Sequence, residues 1–550
     1  MGMSSKRAPA WLYAGLSGML LCGVSSAALA APGADAVLAK AKGSAAAAAS
    51  ESKLQAMQRE LDDMRAQLDA MKTAGHEDTK LSAIQQQLDA MAAQLAEMKT
   101  QQASVDADII TLKSPPPPPV VVTLPNGKPA LASSDGRFTA NVRAIVMFDG
   151  GKYFQKHNLG SAVSNRDLND GTNFRRARFG IDGKLFKDFD YALIYEFGGS
   201  GTEDAGHIQE AWAQYSGFKP WKLRVGAFEP NIGLAAAVST SQMPLLERPA
   251  PAEVARNVAA GDSRSAVQLF GNGIIGEGDA GIAARWFVST ALTGNTVSSV
   301  NSAGGFATQP SDEQTAWIGR VAIAPFDSTN WQAHFGVNAQ YVTQPNDAGA
   351  AANPRYPIQL RDRPELRIDG TRLVDTGGID AQNASVLGGE AGVSSGPFLV
   401  EGEYFRYKID RRNSTLPDPH FKGWYVQGVW VLTGENRPYN PAEARFDAPK
   451  MNYNFNPAAG TWGTWEVAAR YSDLDLNYRE GAQGTTPLAT TGAIRGGEQK
   501  IYSVGLNWYL NPSMRLMFDV QHVKIDRLNG AGVQIGQTYN AIAGRAQYAF

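Results

Sequence analysis

The sequence predicts an all-β transmembrane barrel of about 16 antiparallel strands, preceded by an N-terminal α-helical coiled-coil segment. Three observations carry that prediction. A helical phrase is written twice, the hydrophobic period changes from 3.5 to 2 near Arg137, and the last residues alternate up to a terminal Phe550.

The chain of 550 residues opens with Lys6 and Arg7, continues with an apolar stretch from Ala10 to Val24, and then offers Ala28-Leu29-Ala30. That is the layout of a secretory signal peptide, expected over residues 1–30. The single cysteine, Cys22, lies inside it. Leu21 precedes Cys22 where a lipoprotein site wants a small residue, so lipidation is not expected. The mature chain then has no thiol for a disulfide, a thiolate zinc site or a nucleophile. Residues 31–50 are rich in Ala and Ser and read as a flexible or loosely helical lead-in. No apolar run beyond the N-terminus reaches the roughly 20 residues a spanning helix needs, but strands that alternate in lipid average to mild hydropathy and escape that test.

Residues 51–113 carry the doubled phrase. Leu54, Met57, Leu61, Met64, Leu68 and Met71 step alternately by three and four, as do Leu81, Ile84, Leu88, Met91, Leu95 and Met98. Apolar residues returning every 3.5 positions form a narrow seam that asks for a partner helix. "TAGHEDTK" shifts the phase by one residue, and Gly75 reads as a break. The expectation is self-association, at a strand number that Leu at one core position and Met at the other leave open. Residues 114–135, with Pro115–Pro119, read as a stiff polyproline spacer.

From 136 to 550 the reading is strands. Val146 and Phe148 oppose Asp149, Val504, Leu506 and Trp508 oppose Ser503 and Asn507, and Trp465 and Val467 oppose Glu466 and Arg470. Segments of this kind run to about 9–11 residues, the length that crosses a bilayer when tilted. Aromatics sit near the ends of the apolar faces, where an interfacial girdle belongs. Roughly 415 residues at about 25 per strand and connection give about 16 strands, wide enough for an aqueous channel.

The polar faces are rich in arginine. Even spacing puts Arg176, Arg178 and Lys184 on one side of a strand, against Ala177, Phe179, Ile181 and Leu185 on the other. Arg361, Arg363 and Arg367 would share a side in an extended chain. Arg248, Arg256 and Arg264 fall in "ERPAPAEVARNVAAGDSR", which reads as a long loop. Arginine suits phosphate because its rigid fork of donors matches an oxyanion and stays charged. The plainer account is that these arginines pair with nearby Asp and Glu or face the loops. A net charge of -2 does not suggest a nucleic-acid partner. No phosphate loop, paired-histidine metal motif or G-x-S-x-G elbow is present, and the six histidines are scattered, so neither an enzyme such as a phospholipase nor a cofactor is expected.

"RRARFGIDGKLFKDFDYALIYEFGG", "AWAQYSGFKPWKLRVGAFEPNIGL", "RPELRIDGTRLVDTGGIDA", "WYVQGVWVLTGENRPY" and "LNWYLNPSMRLM" resemble, in that order, the phosphate-selective porin family (porins O and P). "YNAIAGRAQYAF" resembles the C-terminal signal of bacterial outer-membrane proteins. The resemblance implies a trimeric 16-stranded porin in outer-membrane lipid whose lumen arginines conduct small anions, phosphate or polyphosphate in the type members. The heptads lie outside it, and a heptad segment on each protomer of such a trimer would add three parallel helices below the barrels. A second reading makes the barrel an anchor and the coiled coil a tether to peptidoglycan or a partner protein.

Overall fold

The computed structural model describes residues 34–73, 78–113, 120–124, 128–156, 167–198, 206–261, 263–276, 283–297, 312–326, 331–347 and 355–550. The expected signal peptide, Gly75 and Pro115–Pro119 lie outside these. The chain divides into a unit ending at Pro117 and another beginning at Pro118.

The first unit is a pair of helices, α1 (Ala34–Thr73) and α2 (Asp78–Lys113). Helix α1 starts inside the expected lead-in, where alanine has the strongest helix propensity. Leu61, Leu68, Leu88 and Leu95 form one buried cluster, with Leu54, Met57, Met64, Ile84 and Met91 packed around it. Lys99 Nζ donates to Gln58 Oε1 at 3.2 Å, which makes the helices antiparallel. The two copies of the phrase are therefore each other's partner within one chain. A heptad seam does not encode helix direction, and a short connection costs less entropy than bringing in other chains. Cysteines at Leu61 and Leu95 should consequently form an intramolecular bridge. Non-reducing electrophoresis should show monomer mass, and a crosslinked dimer or trimer would contradict the hairpin.

In the second unit a short hairpin, Val120–Thr123 with Ala130–Ser133, replaces part of the expected spacer. Its β-branched Val-Val-Val-Thr favours a strand over polyproline II. It pairs through Ala130–Ala132 with the start of the first barrel strand. Sixteen barrel strands follow: β1 (Thr139–Phe154), β2 (Gly171–Leu185), β3 (Phe189–Glu196), β4 (His207–Tyr215), β5 (Trp221–Phe228), β6 (Arg264–Ile275), β7 (Ala284–Thr296), β8 (Thr315–Ala324), β9 (Trp331–Gln344), β10 (Ile379–Ser395), β11 (Phe398–Arg411), β12 (His420–Val431), β13 (Thr464–Tyr478), β14 (Ile494–Asn511), β15 (Met514–Asp526) and β16 (Thr538–Ala549). Each pairs antiparallel with the next, and β16 returns to β1 with Gly544 opposite Gly150. The sheet is a closed barrel without a free edge along its wall. Across the closing seam Arg545 of β16 holds Asp149 of β1 through two bonds of 2.7 Å, and it reaches Leu246 O at 2.7 Å and Glu247 Oε1 at 2.8 Å.

The hydropathy of the wall is inverted relative to a soluble core. Val504, Leu506, Leu516, Phe518 and Trp430 are exposed, while Ser503, Asn507, Gln427, Arg470 and Asp519 are buried. The alternation predicts this, because lipid takes the apolar face and the lumen takes the polar one. Val504→Arg should accordingly cost about 2–4 kcal/mol near the bilayer midplane, measured as a lowered urea midpoint of the barrel in liposomes.

Three connections fill the lumen: residues 229–261 and 355–378 from the end opposite the termini, and residues 432–463 from the end that carries them. Most of the stretch expected to be a long loop is a helix, α3 (Ala250–Ala259), buried at all but one position. Pro251 fits a first helical turn, and four alanines with Glu253 and Arg256 sustain the helix. Tyr407 donates to Pro251 O at 2.7 Å and Gln340 to Ala255 O at 2.9 Å, tying α3 to β11 and β9. The insertion from the other end meets it: Asn231 Nδ2 donates to Glu443 O at 3.1 Å and Arg437 Nη1 to Gln242 O at 3.3 Å.

Candidate functional site

A cavity of about 530 Å³ opens between α3, residues 359–372 and the wall strands β2–β4 and β6, lined by ten arginines and three glutamates. Its wall residues come from the starts of β2, β4 and β6 and the ends of β3 and β7, so it lies toward the mouth opposite the termini.

Strand β2 contributes Arg175, Arg176 and Arg178. A β-bulge sets Met147 opposite Arg176 but the next residue, Phe148, opposite Phe174. Arg175 is the extra residue, and both it and Arg176 turn inward. Arg175 pairs with Glu247 through bonds of 2.7 and 3.0 Å. Arg178 Nε meets Glu196 Oε2 at 2.6 Å, and Glu196 Oε1 also accepts from the Ala177 and Gly198 amides. Arg176, 4% exposed, lies 3.6 Å from Met147 Sδ, and its Nε has no hydrogen-bond partner among the described residues.

Helix α3 supplies Arg256, which bonds Glu253 on the next turn at 3.1 Å and lies 3.5 Å from Glu229. Arg367 crosses from the other insertion to the same Glu253 at 2.9 Å. Burial by itself would raise the Glu253 carboxyl pKa, but the Arg256 and Arg367 guanidinium groups override it and hold the group well below the ordinary range. Arg248 and Arg264 are held by backbone carbonyls, of Ala235 and Val238 and of Gly261 and Asn257 respectively.

Only Arg361–Asp362 of the 361–367 stretch is extended, bridging Val374–Asp375. Pro364 and the positive φ of Glu365 (60°) then turn the chain. Arg361 is consequently exposed, whereas Arg363 and Arg367 are buried; all three still border the cavity. Arg363 Nε donates to Gly370 O at 3.1 Å. Arg372 completes this side. Burial first, and then the like charges of Arg363 and Arg361, pull its pKa down to about 10, which leaves it cationic at neutral pH. Among the described residues no carboxylate lies within 4.0 Å of Arg176, Arg361 or Arg372, whereas Arg175, Arg178, Arg256 and Arg367 are ion-paired.

Of the residues that spacing singles out, Arg176, Arg178, Arg256, Arg264, Arg361, Arg363 and Arg367 come together at the cavity. Lys184 does not. It sits at the far end of β2, exposed and paired with Asp190. Spacing alone does not reach Arg175 or Arg372. The signal for Arg175 was its cost: an arginine facing lipid is expensive, so three arginines in "RRAR" already imply a bulge. No group of His, Cys, Asp and Glu fit to hold a metal occurs among the described residues.

The sequence model of a family described as "Phosphate-selective porin O and P" matches residues 157–550. The chain belongs to this family. It is an outer-membrane porin, 25% identical to Porin O of Pseudomonas aeruginosa over 454 residues, which cover 78% of this chain and 92% of that protein. Solved structures similar to this porin include an anion-selective porin from Comamonas acidovorans, with 11% identity, a TM-score of 0.43, and 75% of this chain and 100% of that chain covered. OprB of Pseudomonas putida gives 8%, 0.44, 76% and 95%.

Proposed function

We propose that this porin is a passive channel for small anions, phosphate or polyphosphate among them, and that the arginines of the cavity line the path. The cavity carries the proposal, since ten arginines face three glutamates there. The paired arginines act as a fixed frame. Arg176, Arg361 and Arg372 leave donor forks for an oxyanion, which they match in geometry and charge. Sites of moderate strength in series bind an anion yet release it onward. In planar bilayers under a KCl gradient the reversal potential should carry the sign of chloride preference, and added phosphate should block the chloride current. A cation-selective potential would overturn the reading. Absence of any conductance would favour the barrel as an anchor for the helical hairpin.

We also infer a homotrimer. Strands β3, β4 and β5 have only 8, 9 and 8 residues. Eight residues rise roughly 26 Å, or roughly 19 Å along the membrane normal at a tilt of about 45°, short of the apolar band of about 25 Å. Their outward Leu193, Tyr195, Leu223 and Val225 are exposed in one chain, and a neighbouring copy would cover them. Val225→Arg should convert trimer to monomer in sedimentation of the detergent-solubilised porin while β-sheet content stays unchanged.

A further inference from the structure

The outer wall of β11–β15 has a composition that a plain lipid-facing surface does not need. Outward side chains on these strands form an aromatic row: Trp424 and Tyr471 lie 5.2 Å apart between ring centroids, Tyr471 and Tyr502 4.8 Å, and Tyr502 and His522 6.2 Å. Below the row, toward the end with the termini, the outward residues are apolar: Val426, Val504, Leu506, Phe518 and Val520 are exposed. On the other side of the row the register builds two charged rungs. One runs Arg406, Lys422, Asp475, Glu498, Asp526 and the other Asp473, Lys500, Lys524, each residue directly opposite the next.

Like charges directly opposite across strands are unfavourable, and Asp475, Glu498 and Asp526 form such a series, as do Lys500 with Lys524 and Arg406 with Lys422. Part of this is relieved along the strands, by Lys500 with Glu498 at 2.8 Å and Lys524 with Asp526 at 3.3 Å. Among the described residues Arg406 and Lys422 have no carboxylate within 4.0 Å, although both are exposed. The arrangement is fullest on this wall. At the same end of β1 and β2 a lone exposed pair among the described residues, Lys152 with Asp170 at 3.9 Å, stands beside exposed Phe154 and Phe174.

Porin strands are joined by short connections on the periplasmic side and longer ones outside. Most described connections at the end with the termini are short, which puts the charged rungs at the headgroup level of the outer leaflet. An aromatic row takes the apolar faces of sugar rings, carboxylates accept sugar hydroxyls, and Lys and Arg take phosphate oxygens. From the membrane core outward the aromatic rings come first, and cations and carboxylates share the two rungs beyond them. A simple anionic phospholipid would use the cations alone.

We propose that the outer wall of β11–β15 binds the phosphorylated sugar headgroup of an outer-leaflet glycolipid. The surface is separate from the arginine cavity, since its residues point away from the lumen. Full-length porin in detergent would be titrated with bis-phosphorylated lipid A and bound copies read by native mass spectrometry. Wild type should retain the lipid, and Arg406→Gln/Lys422→Gln/Lys500→Gln/Lys524→Gln should weaken retention at least about tenfold with single-channel conductance unchanged. Should the quadruple variant fail to fold, Lys422→Gln alone should weaken retention about threefold. Equal retention by variant and wild type would overturn the proposal. So would equal retention of dephosphorylated lipid A, which would leave only acyl-chain contact, or full displacement by inorganic phosphate, which would make this a free-phosphate site.

Discussion

A porin carrying Arg361→Glu and Arg363→Glu is expected to lose most of its anion preference while still inserting and conducting. The ten arginines and three glutamates at the cavity become eight and five. One unit charge about 4 Å from a passing ion is worth about 1 kcal/mol in water, so four units of change should shift the anion-to-cation permeability ratio at least about tenfold. The effect should shrink as KCl rises, because the Debye length falls from about 10 Å at 0.1 M to about 3 Å at 1 M. Insertion should survive, since Arg361 is exposed and makes no ion pair within 4.0 Å among the described residues, and since lumen substitutions tune selectivity more than stability. An unchanged reversal potential in the double variant would remove these two residues from the path.

The largest stability effect is expected at Arg320. It is 1% exposed and is among the largest fully buried side chains. Its Nε meets Glu390 Oε1 at 2.8 Å, its Nη2 donates to Ala444 O at 2.8 Å, and its Nη1 donates to Glu443 O at 3.0 Å and to Asn231 Oδ1. One guanidinium thus joins the wall strands β8 and β10 to insertions arriving from opposite mouths. Arg320→Met strands the Glu390 carboxylate in a buried site beside His334, whose Nε2 is 3.5 Å away. Breaking a buried pair on one side costs about 3–5 kcal/mol. Urea unfolding should show that loss, and adding Glu390→Gln should recover part of it. If the single and double variants unfold at the same midpoint, the pair is not coupled. Single-channel records of Arg320→Met should also become noisier, as the 432–463 insertion loses one of its ties to the wall and keeps that of Arg437 to Glu466.

The barrel was legible because its physics is local. Period-2 alternation, aromatic ends and a terminal Phe are properties of ten-residue windows, and the lipid solvent enforces them on every strand. The arginine cavity was legible in part for the same reason. Arg176 and Arg178 obey the period, whereas Arg175 reaches the lumen only through a bulge, and a bulge is a property of two strands. Arg361, Arg363 and Arg367 border the cavity for a reason other than their even spacing: a turn at Pro364 and Glu365 brings them round. The helix of residues 250–259 was hidden by Pro249, Pro251 and Gly261, which read as loop punctuation; burial against β9 and β11 decides it. In the N-terminal unit the seam showed that a partner helix exists, and chain reversal supplied it from within.

Arg545 gives the seam a condition for closing. The two strands it joins are 396 positions apart in the chain, so β16 can meet β1 only after everything between them has been synthesised. The same guanidinium that grips Asp149 is also filled by Leu246 O and Glu247 Oε1, and both belong to the insertion at residues 229–261. With the insertion outside, those donors would face water in the lumen, and seating it exchanges that water for two fixed acceptors. Closing the seam and seating the insertion therefore stabilise each other through one side chain near the end of the polypeptide.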